Sequence, residues 1–301
     1  MTQPAELDLG LVVATHGRQA MVETPEGRRV LCHTRGKKSE LVVGDRVRWL
    51  AVADGGVIEH LEPRRNLLFR QDEWRTKSFA ANLDQLLVLV APEPVFSESQ
   101  LTRALIAAAE AGIPTRIGLN KVDLPTADVA RERLAPYRAM GADVVELALK
   151  RDPAQARERL APLLAGRTTL VLGPSGMGKS TLINLLVPAA EAQVGEISQA
   201  LNTGRHTTTS TRWYWLDGAR SGALIDSPGF QEFGLRQVAP EQLATLMPDF
   251  AAHLGHCKFH NCSHRHEPGC GVRDAVERGA ISPSRQRIYE ELYDELSQKR
   301  Y

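Results

Sequence analysis

Gly173-Pro174-Ser175-Gly176-Met177-Gly178-Lys179-Ser180 decides how this chain is read. The stretch fits G-x-x-x-x-G-K-S. The apolar run Thr168-Thr169-Leu170-Val171-Leu172 before it reads as a buried strand, and the residues from Thr181 to Leu186 read as the start of a helix. That strand–loop–helix setting separates a phosphate-binding loop from a chance glycine turn. Glycines let successive backbone N–H groups turn inward around phosphate oxygens. The helix N-terminus adds unpaired donors and the positive end of its dipole. Lys179 has the reach for β- and γ-phosphates, and the Ser180 hydroxyl is suited to ligate magnesium.

Upstream of the loop, β-like and α-like segments alternate. An apolar run at 83–91 is bounded by Pro92. An Ala/Leu-rich helix at 100–111 stops at Gly112, and a strand follows at 113–119. A helix near 127–140, a strand at 143–147 and a helix near 153–164 lead into the 168–172 strand. This alternation predicts an open, mostly parallel sheet with ligands at the carboxyl ends of its strands. At the end of the 113–119 strand stands Asn120-Lys121-Val122-Asp123, an N-K-x-D motif. A carboxylate there can accept from guanine N1–H and the exocyclic amine, a donor pair adenine lacks, so the motif points to guanine rather than adenine.

Downstream, Ala223-Leu224-Ile225 runs into Asp226-Ser227-Pro228-Gly229. In this D-x-x-G the Asp is placed to face magnesium and the Gly N–H to sense a γ-phosphate. Between the two lies Gly204-Arg205-His206-Thr207-Thr208-Thr209-Ser210-Thr211, a hydroxyl-rich loop able to supply a second magnesium ligand. The residue after D-x-x-G is Phe230, which cannot orient a water as glutamine does. Slow intrinsic hydrolysis is therefore expected, with His206 as the candidate base. In most GTPases the phosphate loop comes first and N-K-x-D late. Here N-K-x-D precedes it, and D-x-x-G comes last and runs straight into the C-terminal segment, placing that segment where loss of a γ-phosphate would move it.

Residues 1–66 alternate short β-like runs with turn signals, about five strands in all, which predicts a small closed barrel; an SH3-like barrel gives a similar pattern, and a five-stranded OB-fold is the preferred reading. Residues 28–48 carry seven Lys/Arg (Arg28, Arg29, Arg35, Lys37, Lys38, Arg46, Arg48) against Glu40 and Asp45, a charge pattern suited to a phosphate backbone. Cys32 reads as a small buried hydrophobe. The stretch at 67–80, with Arg70, Arg75 and Lys77, reads as a charged linker between the barrel and a domain at 81–240. In the remaining segment, 241–301, Cys257-x4-Cys262-x-His264-x5-Cys270 offers three thiolates and an imidazole. That set favours one structural zinc in a closed tetrahedral site. His253, His256, His260 and His266 are read as non-ligands. Residues 284–298 form an amphipathic helix with Ile288, Leu292 and Leu296 on one face.

The 301 residues are 43% hydrophobic and carry a net charge of +1, so bulk charge selects no partner. No apolar run approaches the roughly 20 residues of a membrane span. A cytoplasmic monomer with no membrane or DNA partner is expected.

With these motifs together the chain resembles the RsgA (YjeQ) family of small ribosomal subunit biogenesis GTPases. The resemblance rests on the motif order, on the run from Gly204 to Thr209, on the Cys3His spacing and on Ala81-Asn82-Leu83-Asp84-Gln85. It implies hydrolysis of GTP to GDP and phosphate, stimulated by the small ribosomal subunit and its rRNA, and a role in late maturation of that subunit. By the same resemblance Asn120, Lys121 and Asp123 would hold guanine. Gly173, Pro174, Ser175, Gly176, Met177, Gly178, Lys179, Ser180 and Thr181 would hold phosphates and Mg2+, with Thr208, Asp226 and Gly229. Where the family has a Ser-Ala pair supporting guanine, this chain reads Ala148-Leu149, which lacks the serine hydroxyl. Two other functions compete with this one: an RNA-binding module that binds nucleotide without turnover, and an ATP-dependent nucleic-acid enzyme, which N-K-x-D disfavours.

Overall fold

Alternating apolar residues near the N-terminus fold into five strands: β1 (Asp8–His16), β2 (Gln19–Glu23), β3 (Arg29–Thr34), β4 (Arg46–Val52) and β5 (Gly55–Leu61). The computed structural model describes residues 7–35, 41–71, 76–188, 190, 211–229 and 233–298. β1 pairs with β2 and β2 with β3. β3 runs parallel to β5, β5 pairs with β4, and β4 returns to β1. The circuit closes in the order 1-2-3-5-4-1, the expected OB-like barrel, and closure removes the exposed edges of an open sheet. Val12, Val22, Val47, Trp49 and Ile58 fill it with Cys32, whose thiol burial pushes up to about 11. At that value the thiol stays protonated and inert, a packing group as expected.

The expected linker is not one. Residues 67–80 hold a hairpin of β6 (Leu67–Gln71) and β7 (Thr76–Ala81). Leu68, Phe79, Ala80 and Ala81 are buried, so burial of these apolar residues outweighs the charges that flank them. The hairpin bridges the barrel at Val43↔Ala80 and the stretch after D-x-x-G at Gln71↔Leu235. Phe79 stacks on Phe233 with ring centroids 5.6 Å apart.

The central sheet contains β8 (Gln85–Val90), β9 (Thr115–Asn120), β10 (Asp143–Leu147), β11 (Thr168–Leu172), β12 (Arg212–Trp215) and β13 (Ala223–Asp226), in the order β10-β9-β8-β11-β13-β12. All pairs are parallel except β12–β13. Every residue of β8 is buried, as a strand covered by helices on both faces must be. Those helices include α1 (Glu98–Glu110), α2 (Ala127–Ala139), α3 (Pro153–Leu164) and α4 (Lys179–Leu186). Ser97 caps α1 by accepting from the Gln100 N–H. Asp152 caps α3 from the Gln155 N–H, with Pro153 following it. From β8 the chain builds outward through β9 to β10, then crosses back to lay β11 on the other side of β8. The strand order therefore reverses between β8 and β11, and ligands of open α/β sheets lie at the carboxyl ends of such a pair. The barrel joins this sheet through β1 and β12 at Ala14↔Arg212, and the Trp215 indole donates to the Glu23 carboxylate at 2.6 Å.

Beyond D-x-x-G the chain forms a 3-10 helix (Pro240–Leu246), α5 (Pro248–Ala251), a short 3-10 turn (Leu254–His256), α6 (Gly271–Glu277) and α7 (Pro283–Ser297). α7 buries Ile288, Leu292 and Leu296 as its periodicity requires, together with Tyr289 and Arg285. Arg285 is 1% exposed. Its guanidinium donates to both Asp249 oxygens at 2.7 and 2.9 Å and to Thr102 Oγ1 of α1 at 2.7 Å, and lies 5.0 Å above the Tyr137 ring of α2. Arg103 of α1 pairs with Glu295 of α7 and donates to the Phe233 carbonyl. The C-terminal segment is thus fastened to α1 and α2.

Candidate nucleotide site and metal cluster

The phosphate loop leaves β11 at the reversal point. Gly173 has φ +155° and Gly178 φ +104°. A Cβ on Gly173 would lie 2.4 Å from the Leu89 carbonyl oxygen, and one on Gly178 only 2.3 Å from Asn120 Nδ2. Both positions need glycine for backbone conformation and for close approach. Met177 is buried, whereas Ser175, Gly176 and Ser180 are exposed. Lys179 opens α4, and its ammonium folds back onto the carbonyls of Gly173 at 2.6 Å and Pro174 at 2.9 Å. Burial lowers the Lys179 pKa, and the nearby Asp226 charge opposes that shift.

Asp226 ends β13 in register with Val171 of β11 and is 8% exposed. Burial raises its carboxyl to about 6, against the pull of Lys179 and Arg212. The Ser227 hydroxyl donates to the Val171 carbonyl at 3.1 Å and pins the D-x-x-G turn to β11. A Cβ on Gly229 would lie 3.2 Å from Lys179 Nζ and 3.4 Å from the Ser175 nitrogen, so this glycine lies against the phosphate loop.

Asn120, at the end of β9, is 3% exposed. Its Nδ2 donates to the Met177 carbonyl at 2.9 Å, and its Oδ1 accepts from the Leu149 N–H at 3.2 Å. One side chain thereby ties together the N-K-x-D loop, the phosphate loop and the β10–α3 loop holding Ala148-Leu149. The Leu149 N–H of the Ala148-Leu149 pair is held by Asn120. Lys121 takes the left-handed conformation at φ +60°, and Asp123 is exposed. The three motifs meet although they are spread over more than a hundred residues in permuted order. His206, Thr208 and Phe230 lie outside the described residues, as do Lys37, Lys38 and Arg75.

The ligand atoms of Cys257, Cys262, His264 and Cys270 all lie within 4.8 Å of one another. His264 Nδ1 is 3.5 Å from the Cys257 and Cys270 sulfurs. A tetrahedron with Zn–S and Zn–N bonds of about 2.3 and 2.0–2.1 Å has S···N edges of about 3.5 Å, so the donor set fits zinc. The loop is braced from outside. The Glu267 carboxylate accepts from the Ser263, Arg265 and His266 N–H groups, and Tyr289 of α7 donates to the Ser263 carbonyl at 2.9 Å. The sequence reading missed Glu267, Tyr289 and Arg285. A charged residue on the apolar face of the C-terminal helix was the available signal for Arg285.

A parallel sheet carrying N-K-x-D before its phosphate loop and D-x-x-G after it defines a circularly permuted GTPase. Residues 61–236 match the family described as RsgA GTPase. The chain is 62% identical over 297 residues to the small ribosomal subunit biogenesis GTPase RsgA of Variovorax paradoxus, covering 97% of this chain and 93% of that one. It is 55% identical to the protein of the same name from Burkholderia pseudomallei K96243, over 96% of this chain and 92% of that one. Among solved structures, YjeQ from Thermotoga maritima superposes with a TM-score of 0.74 at 29% identity, covering 98% of this chain and all of that one. YloQ, a circularly permuted GTPase, superposes at 0.71 with 25% identity over the whole of both chains. The chain belongs to the RsgA GTPase family, and its activity is GTP hydrolysis.

Proposed function

We propose that this GTPase is stimulated by the small ribosomal subunit and acts in late maturation of that subunit. The observation that carries the reading is the meeting of N-K-x-D, the phosphate loop and D-x-x-G at the β8/β11 reversal. The subunit as partner follows the names of the relatives. In this reading Asn120 holds the base loop on the phosphate loop, Lys121 flanks the base, and Asp123 accepts from guanine. Residues 173–181 wrap the phosphates, and Lys179 leaves its two carbonyls for the β- and γ-phosphates. Magnesium held at Ser180, Asp226 and Thr208 would neutralise charge on the phosphates. Gly229 donates to the γ-phosphate, and His206 takes a proton from the attacking water, with Phe230 keeping the unassisted rate low. Zinc held by Cys257, Cys262, His264 and Cys270 is structural, and the barrel and zinc loop bind rRNA. The protein works as a cytoplasmic monomer.

The test is GTP hydrolysis with and without purified small subunits, with ATP as control. Stimulation specific to GTP is expected. Intact GTP binding with no stimulation would refute the proposal and leave an RNA-binding module that holds nucleotide.

A further inference from the structure

The loop from β8 to α1 crosses both halves of the nucleotide site, and Glu93 stands exposed in it. Glu93 accepts two hydrogen bonds from the N-K-x-D loop. Lys121 Nζ donates to its backbone carbonyl, and Thr126 Oγ1 donates to its carboxylate at 2.7 Å. The two donors bracket Asp123. Each is held against a local preference. Lys121 sits at φ +60°, a conformation disfavoured for a residue with a side chain. Thr126 is the N-cap of α2, yet its side chain makes no capping bond. The hydroxyl that would satisfy an orphan N–H of the helix is given to Glu93 instead. The next residue, Pro94, lies on the phosphate loop, where a Cβ on Gly176 would be 3.1 Å from its Cδ.

We propose that Glu93 is a positioning residue for guanine: it clasps both ends of the 121–126 loop and so sets where Asp123 meets the base. This rests on the guanine site proposed above. Asp123 accepts from N1–H and the exocyclic amine of guanine, whereas hypoxanthine offers N1–H alone. A loosened Asp123 costs GDP two bonds and IDP one, so the preference for GDP over IDP narrows.

The experiment titrates fluorescent GDP into the full chain, with GDP, IDP and ADP as competitors, and follows thermal unfolding alongside. Glu93→Ala and Thr126→Val each weaken GDP by about threefold, the effect of one exposed hydrogen bond. Both narrow the GDP:IDP ratio and leave the nucleotide-free melting temperature unchanged. The double variant is no weaker than either single one, because both remove the same bond. Glu93→Gln, whose amide oxygen still accepts from Thr126, retains the unmodified affinity. If the unmodified chain prefers GDP to ADP while Glu93→Ala keeps its affinity and ratio, the role of Glu93 falls alone. Equal losses for GDP and IDP, or a Gln variant as weak as the Ala variant, overturn it too. An unmodified chain with no preference for GDP over ADP removes the guanine reading itself.

Discussion

Replacing Arg285 should loosen the C-terminal segment far more than replacing any other ion-paired arginine on α1 or α7. Its side chain is 2% exposed and that of its partner Asp249 is 9% exposed. Arg285→Ala leaves Asp249 charged and buried without its cation, and also strips Thr102 and the Tyr137 ring of their contact. Stranding one member of a buried ion pair costs about 3–5 kcal/mol. Each 1.4 kcal/mol is a factor of ten in an opening equilibrium, so amide exchange across α5 and α7 should accelerate by at least about a hundredfold. The contrast is Glu295→Ala, which breaks the pair with Arg103 where the carboxylate is 34% exposed. Arg103, 13% exposed, keeps the Phe233 carbonyl as an acceptor, so the cost stays below that of stranding Asp249. The decisive variant is Asp249→Leu with Arg285→Met, which removes both charges and keeps the volume filled. Mass-spectrometric hydrogen exchange should find it much closer to the unmodified chain than Arg285→Ala is. A double variant as loose as the single one would refute the stranded-charge argument, and unchanged exchange in Arg285→Ala would refute the clamp.

The Asp226 carboxyl, raised by burial from an ordinary carboxylate value to about 6, makes a second prediction. A raised folded value favours the protonated form, so this group's contribution is present at pH below about 4 and is lost as pH rises through 6. Asp226→Asn should therefore stabilise the nucleotide-free protein at pH 7.5 by roughly 2–3 kcal/mol in urea denaturation, fading as pH falls toward 4. The same variant should lose magnesium-dependent GTP binding, and an Asn protein no more stable than the parent at pH 7.5 would contradict the burial argument. Gly178→Ala forces a methyl into Asn120 Nδ2 at φ +104° and should weaken GDP at least about tenfold, read by equilibrium dialysis. Elemental analysis should find one zinc per chain. Cys262→Ser should lose it and increase exchange at α6; a metal-free parent with full α6 protection would count against a structural zinc.

Much of the site was legible because its chemistry is local. Phosphate loop, N-K-x-D and D-x-x-G each declare themselves within a few residues at strand ends, and the Cys3His set lies within fourteen residues. The barrel's strands were legible from alternation and turn residues. The hairpin at 67–81 was not. Its apolar residues come in two short runs, Leu67-Leu68-Phe69 and Phe79-Ala80-Ala81, rather than alternating, and Asp72-Glu73-Trp74-Arg75 between them holds no glycine, asparagine or proline to mark a turn. Glu93 was hidden for a different reason: an exposed glutamate in a loop looks like any other until the fold brings Thr126, thirty-three residues away, to its carboxylate. Arg285 shares the helical face of Ile288 and Leu292, and a cation at such a place signals a buried partner that only the tertiary structure names.

The hairpin also decides where this protein can be shortened. A fragment starting at residue 81 would retain every nucleotide-binding motif and resemble a clean GTPase core. It would nonetheless strip the ring of Phe79 from Phe233 and leave the backbone at 234 and 236 without the two hydrogen bonds it makes to Gln71. Those residues begin four positions after Gly229, so the damage would fall on the exit of D-x-x-G. A barrel-free protein with native-like turnover has to begin ahead of Leu67, and a slow fragment cut at 81 would report the severed hairpin rather than a need for the barrel.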